Sequence, residues 1–339
     1  MLDDPKEPEG ASAQAKIDAV ARPVVLLAAA LPERFLNRLR ARYEVLGPLA
    51  APFPQTVAMF PKADAGRVQA LLTMGTVLST REAIAHLPNL GLISCLGSGF
   101  EGVDVGAARE RGIAVTHSPA VNASTVADFA IGLMIASVRE FFPANEYLRR
   151  GDWKGNAARR MRLVRGLTGR RAGIYGLGAI GEKIARRAIA FEMDVAYHNR
   201  RARPDVPYRH HASLLDLATW ADILIVAVRA DASNRHAVDA SVLAALGADG
   251  HVVNIARGSV IDETALVSAL GQGIIAGAGL DVFEHEPLVP DALLALPNVV
   301  TTPHIAGGTI EAQEAMQDMV LANFEAFFAG RPVLTPVPV

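Results

Sequence analysis

Three short stretches place a guanidinium, carboxylates and an imidazole close behind apolar runs. They are Asn254-Ile255-Ala256-Arg257-Gly258, Gly279-Leu280-Asp281-Val282-Phe283-Glu284-His285-Glu286-Pro287 and Thr302-Pro303-His304-Ile305-Ala306-Gly307-Gly308. Reduction of a 2-oxo acid needs a fixed cation for the carboxylate, a proton donor for the carbonyl oxygen and a hydride donor held against the carbon. Arg257 and His304 are of the types that supply the first two. Taken singly, each residue has a plainer reading. A lone histidine near a glycine pair is often structural, a glutamate beside a proline is often a surface carboxylate, and an arginine after a strand is often solvated.

A fourth stretch addresses the hydride donor. Gly176-Leu177-Gly178-Ala179-Ile180-Gly181 follows the apolar run 172–175 and opens a helical pattern over 180–190. GxGxxG carries little weight by itself in a chain with 29 glycines, but a strand before it and a helix after it mark a dinucleotide turn. Gly176 permits the tight turn, Gly178 with Ala179 and Ile180 brings backbone amides to a pyrophosphate, and Gly181 lets the helix sit close on the strand. The helix amino terminus favours the anion. A plain strand-to-helix turn would not need all three glycines.

About twenty residues on, an acidic residue would bind the 2'-hydroxyl of NAD. This chain instead reads Tyr197-His198-Asn199-Arg200-Arg201. Guanidinium groups pair with a phosphate in bidentate geometry, so the expected cofactor is NADPH, with NADH possible.

The surrounding pattern is one of alternating strands and helices. Apolar runs at 23–28, 68–72, 92–96 and 113–115, with helical spacing at 32–42, make a first α/β unit. A long helix begins near Ser124, with Ser or Thr at its start and Phe129, Leu133, Ile135 and Ala136 at buried spacings. An arginine-rich, poorly periodic segment over 149–171 reads as a solvated connection or an arm to a partner subunit. Six strands follow, at 172–176, 194–198, 223–228, 251–256, 277–282 and 299–302, as an open doubly wound sheet requires. A final amphipathic helix at about 309–328 packs back on the first unit. The expected architecture is therefore α/β, with two Rossmann-like doubly wound parallel-sheet domains. Residues 1–20 are a flexible tail, 21–120 plus 306–335 a substrate domain discontinuous in sequence, and 121–305 the dinucleotide-binding domain.

At 339 residues, 51% hydrophobic and 20% charged, the chain has the makeup of a globular protein of two domains. A net charge of -2 gives no footprint for nucleic acid or an anionic membrane. Cys95 is the only cysteine, which removes disulfides and thiolate metal clusters and points to a reducing cytoplasm. Neither a signal peptide nor an 18-residue apolar span is evident. The His210-His211 pair is read as a surface pair rather than a metal site, and Cys95 as core.

The four stretches in this order resemble the NAD(P)-dependent D-isomer-specific 2-hydroxyacid dehydrogenases over about 23–332. The residues after Tyr197 further resemble the glyoxylate/hydroxypyruvate reductase branch. The resemblance implies that Arg257 grips the substrate carboxylate and polarises its carbonyl. It implies that His304 gives the proton on reduction and takes it on oxidation, and that Glu286 holds and charge-stabilises the imidazole. Asp281 would orient the nicotinamide amide, while Val228, Ile255 and Gly307 would line the cofactor. In the first unit, Leu96-Gly97-Ser98-Gly99-Phe100-Glu101-Gly102-Val103-Asp104 matches the family's substrate loop, with Ser98 and Gly99 binding the carboxylate through backbone amides. Ser98 and Glu101 depart from the usual residues there, which leaves substrate size and polarity open. Arg229-Ala230 replaces a common Pro-Leu and adds a cation on the adenosine side.

The implied partner is a small 2-oxo or 2-hydroxy acid, and the implied assembly a homodimer through helices of the cofactor domain, where Trp153 either packs between subunits or covers a local core. Glu286 stands where the related formate dehydrogenases carry glutamine. Two alternatives stay open: another D-2-hydroxyacid dehydrogenase, such as a short phosphoglycerate dehydrogenase-like form, and a non-catalytic dinucleotide-sensing protein. Turnover of glyoxylate or hydroxypyruvate separates the enzyme from the sensor.

Overall fold

The computed structural model describes residues 22–154 and 163–338; the expected tail and the middle of the arginine-rich segment lie outside the described residues. The chain gathers into two units. The first holds β1 (Val24–Leu27), β2 (Glu44–Leu46), β3 (Ala70–Met74), β4 (Leu92–Leu96) and β5 (Ala114–Thr116). They form one sheet in the order β2-β1-β3-β4-β5, parallel throughout. β1 and β4 are buried along their whole length, as a parallel strand covered on both faces must be. Their apolar runs therefore show no alternation. Cys95 lies in that core, where burial pushes its thiol up to about 12.

The second unit carries β6 (Arg171–Tyr175), β7 (Asp194–His198), β8 (Arg209–His210), β9 (Ile223–Val226), β10 (His251–Asn254), β11 (Gly277–Leu280) and β12 (Val299–Thr301). Its sheet runs β12-β11-β10-β9-β6-β7-β8, again all parallel. The order in which successive strands are added reverses between β6 and β9, and in such a sheet the ligand crevice opens at the carboxyl ends beside that reversal. Gly176 follows β6, Val228 comes soon after β9, Arg257 after β10, Asp281 after β11 and His304 after β12. Topology alone thus brings five separate stretches to one edge.

Separate apolar cores cover the two faces of this sheet, one around Leu243, Leu266 and Leu280, the other around Ile174, Ile184 and Val253. Helix Ala123–Val138 belongs to the second core and starts one residue before Ser124, preceded by Asn122 without a side-chain cap. Its buried face runs through Val126, Ala130, Leu133 and Met134, while Phe129, Ile135 and Ala136 are half-buried.

Three expectations are corrected. Strands β2 and β8 have no long apolar run, being edge strands of three and two residues. The return to the first unit begins at Glu314 rather than 306, because 306–313 is tied to the second unit: the Ala306 amide donates to Asp281 at 2.8 Å, and Thr125 and Thr309 hydroxyls meet at 3.4 Å. His211 is not on the surface. It is buried beside Trp220, directly after the two-residue edge strand β8.

Candidate active site

The glycine turn has the shape a dinucleotide needs. Gly176 is left-handed at φ +102°, and a Cβ there would lie 2.4 Å from the Val228 backbone. At Gly181 a Cβ would meet the Gly176 carbonyl oxygen at 2.2 Å, so the helix sits against the turn. Gly178 differs: a Cβ there would meet nothing within 4 Å. The turn is open at that point. Gly178 also caps helix Ala179–Ala190 without any side chain, which leaves first-turn amides beginning at Ala179 and Ile180 to serve an anion. The residues present fit the pyrophosphate of a dinucleotide.

Asn199 is bound to this turn, its Oδ1 accepting from the Leu177 amide at 2.7 Å. Arg203 ties the same loop down, donating to the Leu177 carbonyl at 3.2 Å and to Glu182 at 3.1 Å. His210 Nε2 lies 3.1 Å from the Asn199 carbonyl. With its backbone held, the segment displays Arg200 and Arg201 to solvent. The Arg200 guanidinium stands 3.7 Å from Asp231. Ser233 and then the charges of Arg200 and Arg229 hold the Asp231 carboxyl below its ordinary value. Arg229 therefore shares one charged patch with Arg200.

Beyond β10 the buried Asn254 brackets the next residues. Its Oδ1 accepts from the Ala256 amide and its Nδ2 donates to the Arg257 carbonyl, both at 3.0 Å. Arg257, half-buried, donates from Nη1 to the Ala256 carbonyl at 2.7 Å. Ile255 is buried.

Asp281, only 1% exposed, holds the loop that carries the imidazole. Oδ1 accepts from the Thr302 hydroxyl at 2.6 Å and the Ile305 amide at 2.9 Å, and Oδ2 from the Ala306 amide at 2.8 Å. The Asp281 carbonyl accepts from the His304 amide at 2.8 Å. This clamp keeps His304 at φ +52°, a conformation a β-carbon disfavours. Gly307 then passes Asn122 so closely that a Cβ would meet its Nδ2 at 2.9 Å.

The imidazole and a carboxylate are paired. His304 Nδ1 and Glu286 Oε2 are 2.7 Å apart, and both side chains are about one-third exposed, at 37% and 31%. A carboxylate only accepts, so Nδ1 carries the proton and Nε2 is left for a reactant. The other carboxylate oxygen of Glu286 accepts from the Phe283 amide at 3.0 Å. Burial pushes the Glu286 carboxyl up, but the bonds from His304 and Phe283 and the charges of His304 and Arg257 outweigh it. The group is held below its ordinary value. Arg257, Glu286 and His304 thus interact as one set.

In the first unit, the loop after β4 is closed upon itself. The Ser98 hydroxyl donates to the Ser118 carbonyl at 3.1 Å, and His117 Nδ1 lies 2.8 Å from the Ser98 carbonyl. A Cβ on Gly75 would fall 2.0 Å from the Gly99 carbonyl oxygen, so the end of β3 must be glycine for Gly99 to lie there. Ser98 therefore braces the loop through its side chain, a task not evident from its type. Sequence reasoning also missed Asn254 and Thr302 as supports. Their one signal is a polar residue directly at the end of an apolar run.

The D-isomer specific 2-hydroxyacid dehydrogenase NAD binding domain model matches residues 131–306. The chain is 39% identical over 313 residues to glyoxylate/hydroxypyruvate reductase A of Arabidopsis thaliana, covering 92% of this chain and 98% of that one. It is 41% identical to 2-ketogluconate reductase of Gluconobacter oxydans, over 81% and 88% of the two chains. A crystal structure of NADPH-dependent glyoxylate/hydroxypyruvate reductase from Sinorhizobium meliloti, in complex with NADP and malonate, superposes with a TM-score of 0.86 at 40% identity, covering 93% of this chain and 97% of that one. With the fold, the ordered motifs and these likenesses agreeing along nearly its whole length, the chain belongs to the D-isomer specific 2-hydroxyacid dehydrogenase family.

Proposed function

We propose that the protein is an NADPH-preferring reductase that turns small 2-oxo acids, glyoxylate and hydroxypyruvate foremost, into 2-hydroxy acids, of the D configuration where the product is chiral. The observation that carries this reading is the 2.7 Å pair of His304 and Glu286 beside Arg257. Arg257 binds the substrate carboxylate and draws electron density from the adjoining carbonyl. His304 donates the Nε2 proton to the carbonyl oxygen as it becomes a hydroxyl, and Glu286 stabilises the imidazolium before transfer and keeps the ring in place. The hydride for the carbonyl carbon is what a dinucleotide would supply when bound. Solvent then returns the proton to His304.

The cofactor is held by Gly176, Gly178, Ala179, Ile180 and Gly181 at the pyrophosphate, with Val228, Ile255 and Gly307 alongside. Arg200 and Arg201 receive the 2'-phosphate, and Asn199 holds their turn in place. Asp281 faces the nicotinamide amide in addition to clamping the loop. Ser98 and Gly99 present backbone amides to the substrate carboxylate. The named relatives in the family act on acids as different in size as glyoxylate and 2-ketogluconate, so the span 98–101 sets the choice among them.

We further propose a homodimer. Helix Phe141–Arg149 buries none of its residues and leaves Phe141, Phe142 and Leu148 more than half exposed, with Trp153 equally open just beyond. An apolar patch of this kind marks a protein interface. No helix among the described residues is long and apolar enough to cross a membrane, and the one cysteine, inert in the core, suits a reducing cytoplasm.

A panel of 2-oxo acids with NADPH and NADH tests the reading. Turnover of glyoxylate or hydroxypyruvate with higher kcat/KM for NADPH is expected; cofactor binding without turnover of any small 2-oxo acid overturns it in favour of a sensor.

A further inference from the structure

We infer that Glu284 is a positioning residue for the acid-base pair, acting with Arg235 and His236 as a brace between the loops that follow β9, β10 and β11. The inference rests on the catalytic reading given above for Glu286 and His304. The Glu284 side chain is 10% exposed, and its Oε1 accepts from Arg235 Nη2 and, at 2.8 Å, from His236 Nε2. The backbone amide of Glu284 donates to Glu263 Oε1 at 2.7 Å. A carboxylate this buried, with both a cation and an imidazole on one oxygen, fixes the peptide it belongs to.

That peptide is where the two halves of the chemistry meet. The Phe283 amide donates to Glu286 Oε1 at 3.0 Å, so Glu286 is anchored one residue before Glu284. On the other side lies Gly258, the neighbour of Arg257. A Cβ on Gly258 would fall 1.9 Å from the Phe283 carbonyl carbon and 2.1 Å from the Glu284 nitrogen. The arginine's own turn therefore rests directly on the 283–284 peptide. His236 closes the frame, its amide donating to the Ser259 carbonyl at 2.8 Å while its backbone holds φ +53°.

Removing the Glu284 carboxylate frees this peptide, and with it the Phe283 amide that holds Glu286 against His304. A misplacement of about 1 Å costs catalysis on the order of 100-fold. Three variants of the full-length protein test the brace with glyoxylate and NADPH, read as kcat, KM, the pH profile of kcat/KM and NADPH affinity by fluorescence titration. Glu284→Ala is expected to lower kcat by about 10-fold or more and to shift the pH limb that reports the acid, with NADPH affinity unchanged. Glu284→Gln keeps an acceptor oxygen for both donors and is expected to recover to within about threefold of the parent.

Arg235 is largely exposed, so Arg235→Gln retains the fold even where Glu284→Ala does not. It is expected to lower kcat in the same sense by a smaller factor. An unmoved kcat and pH profile in Glu284→Ala, or, if that variant does not fold, in Arg235→Gln, overturns the brace. So does a loss that tracks NADPH affinity instead of kcat. His304→Ala, run beside them, separates the two levels: if it keeps full turnover the catalytic reading fails, whereas if it is dead while Glu284→Ala is unaffected, only the brace fails.

Discussion

The second unit treats its two chemical tasks in opposite ways. The segment from Asp281 to Ala306 is held from inside, by a carboxylate 1% exposed that accepts three hydrogen bonds from the loop carrying His304. The turn at 199–203 is held at its two ends, by the side chains of Asn199 and Arg203 on Leu177, and its charged tips Arg200 and Arg201 stand in solvent. The difference follows from what each must do. Proton transfer requires heavy atoms fixed to a few tenths of an ångström, and buried, fully bonded groups provide that. Recognition of a phosphate needs charge of the right sign and tolerates mobile side chains, so it can be left at the surface.

The contrast makes graded demands. The largest effect is expected at Asp281→Ala, which leaves the Thr302 hydroxyl and the amides of Ile305 and Ala306 without their acceptor. At about 1–3 kcal/mol for each buried group left unpaired, urea unfolding should show a loss of roughly 3 kcal/mol or more, with kcat falling alongside. A loss below about 1 kcal/mol breaks the claim that this segment is held from inside.

Arg257→Ala comes next. On the proposed role it removes the cation that binds the substrate carboxylate, so kcat/KM should fall by about 100-fold with KM raised, since hydrogen bonds to charged groups contribute about 1.5–3 kcal/mol. Unchanged KM would place the substrate carboxylate elsewhere. Smaller again is the paired change Arg200→Ala with Arg201→Ala. kcat/KM for NADPH should drop about 10-fold, NADH should be unaffected, and the thermal midpoint should not move. Because both arginines are exposed, the NADPH advantage of the parent should shrink with added salt. Equal losses for both cofactors would remove the assignment of the 2'-phosphate to this turn.

The smallest effect concerns pH. Glu286 in the folded chain titrates below its ordinary value of 4.5. A depressed carboxyl contributes stability above its unfolded value, and that contribution is lost as pH falls from 4.5 through the folded value. Glu286→Gln should therefore narrow the stability difference between neutral and acid solution in that window. An unchanged difference across it would mean that another group is responsible.

How much of this was visible in the sequence depended on whether a residue's task is local. Arg257, Glu286 and His304 were legible because their types follow apolar strands in a chemically meaningful order, and the glycine turn because three glycines at that spacing have few other uses. Thr302 and the clamping role of Asp281 were not, since their partners come from loops joined only when β11 and β12 lie side by side; Asn254 was passed over although its partners, Ala256 and Arg257, are local, because its type alone does not mark a bracket. Ser98 was read for its amide, whereas its hydroxyl turns inward to Ser118. Strands β2 and β8 escaped for a related reason: at the rim of a sheet, one neighbour's hydrogen bonds suffice and no apolar run is needed. His211 shows the reverse error, a polar residue taken for surface that is buried against Trp220 just past the edge strand.

The central claim is that the His304 imidazole, held by Glu286 and the Asp281 clamp, is the proton donor. The most direct measurement is kcat for glyoxylate reduction by His304→Ala, with NADPH affinity determined on the same sample. The account predicts a fall of about 100- to 10,000-fold with NADPH affinity intact. Turnover equal to that of the parent protein would contradict it.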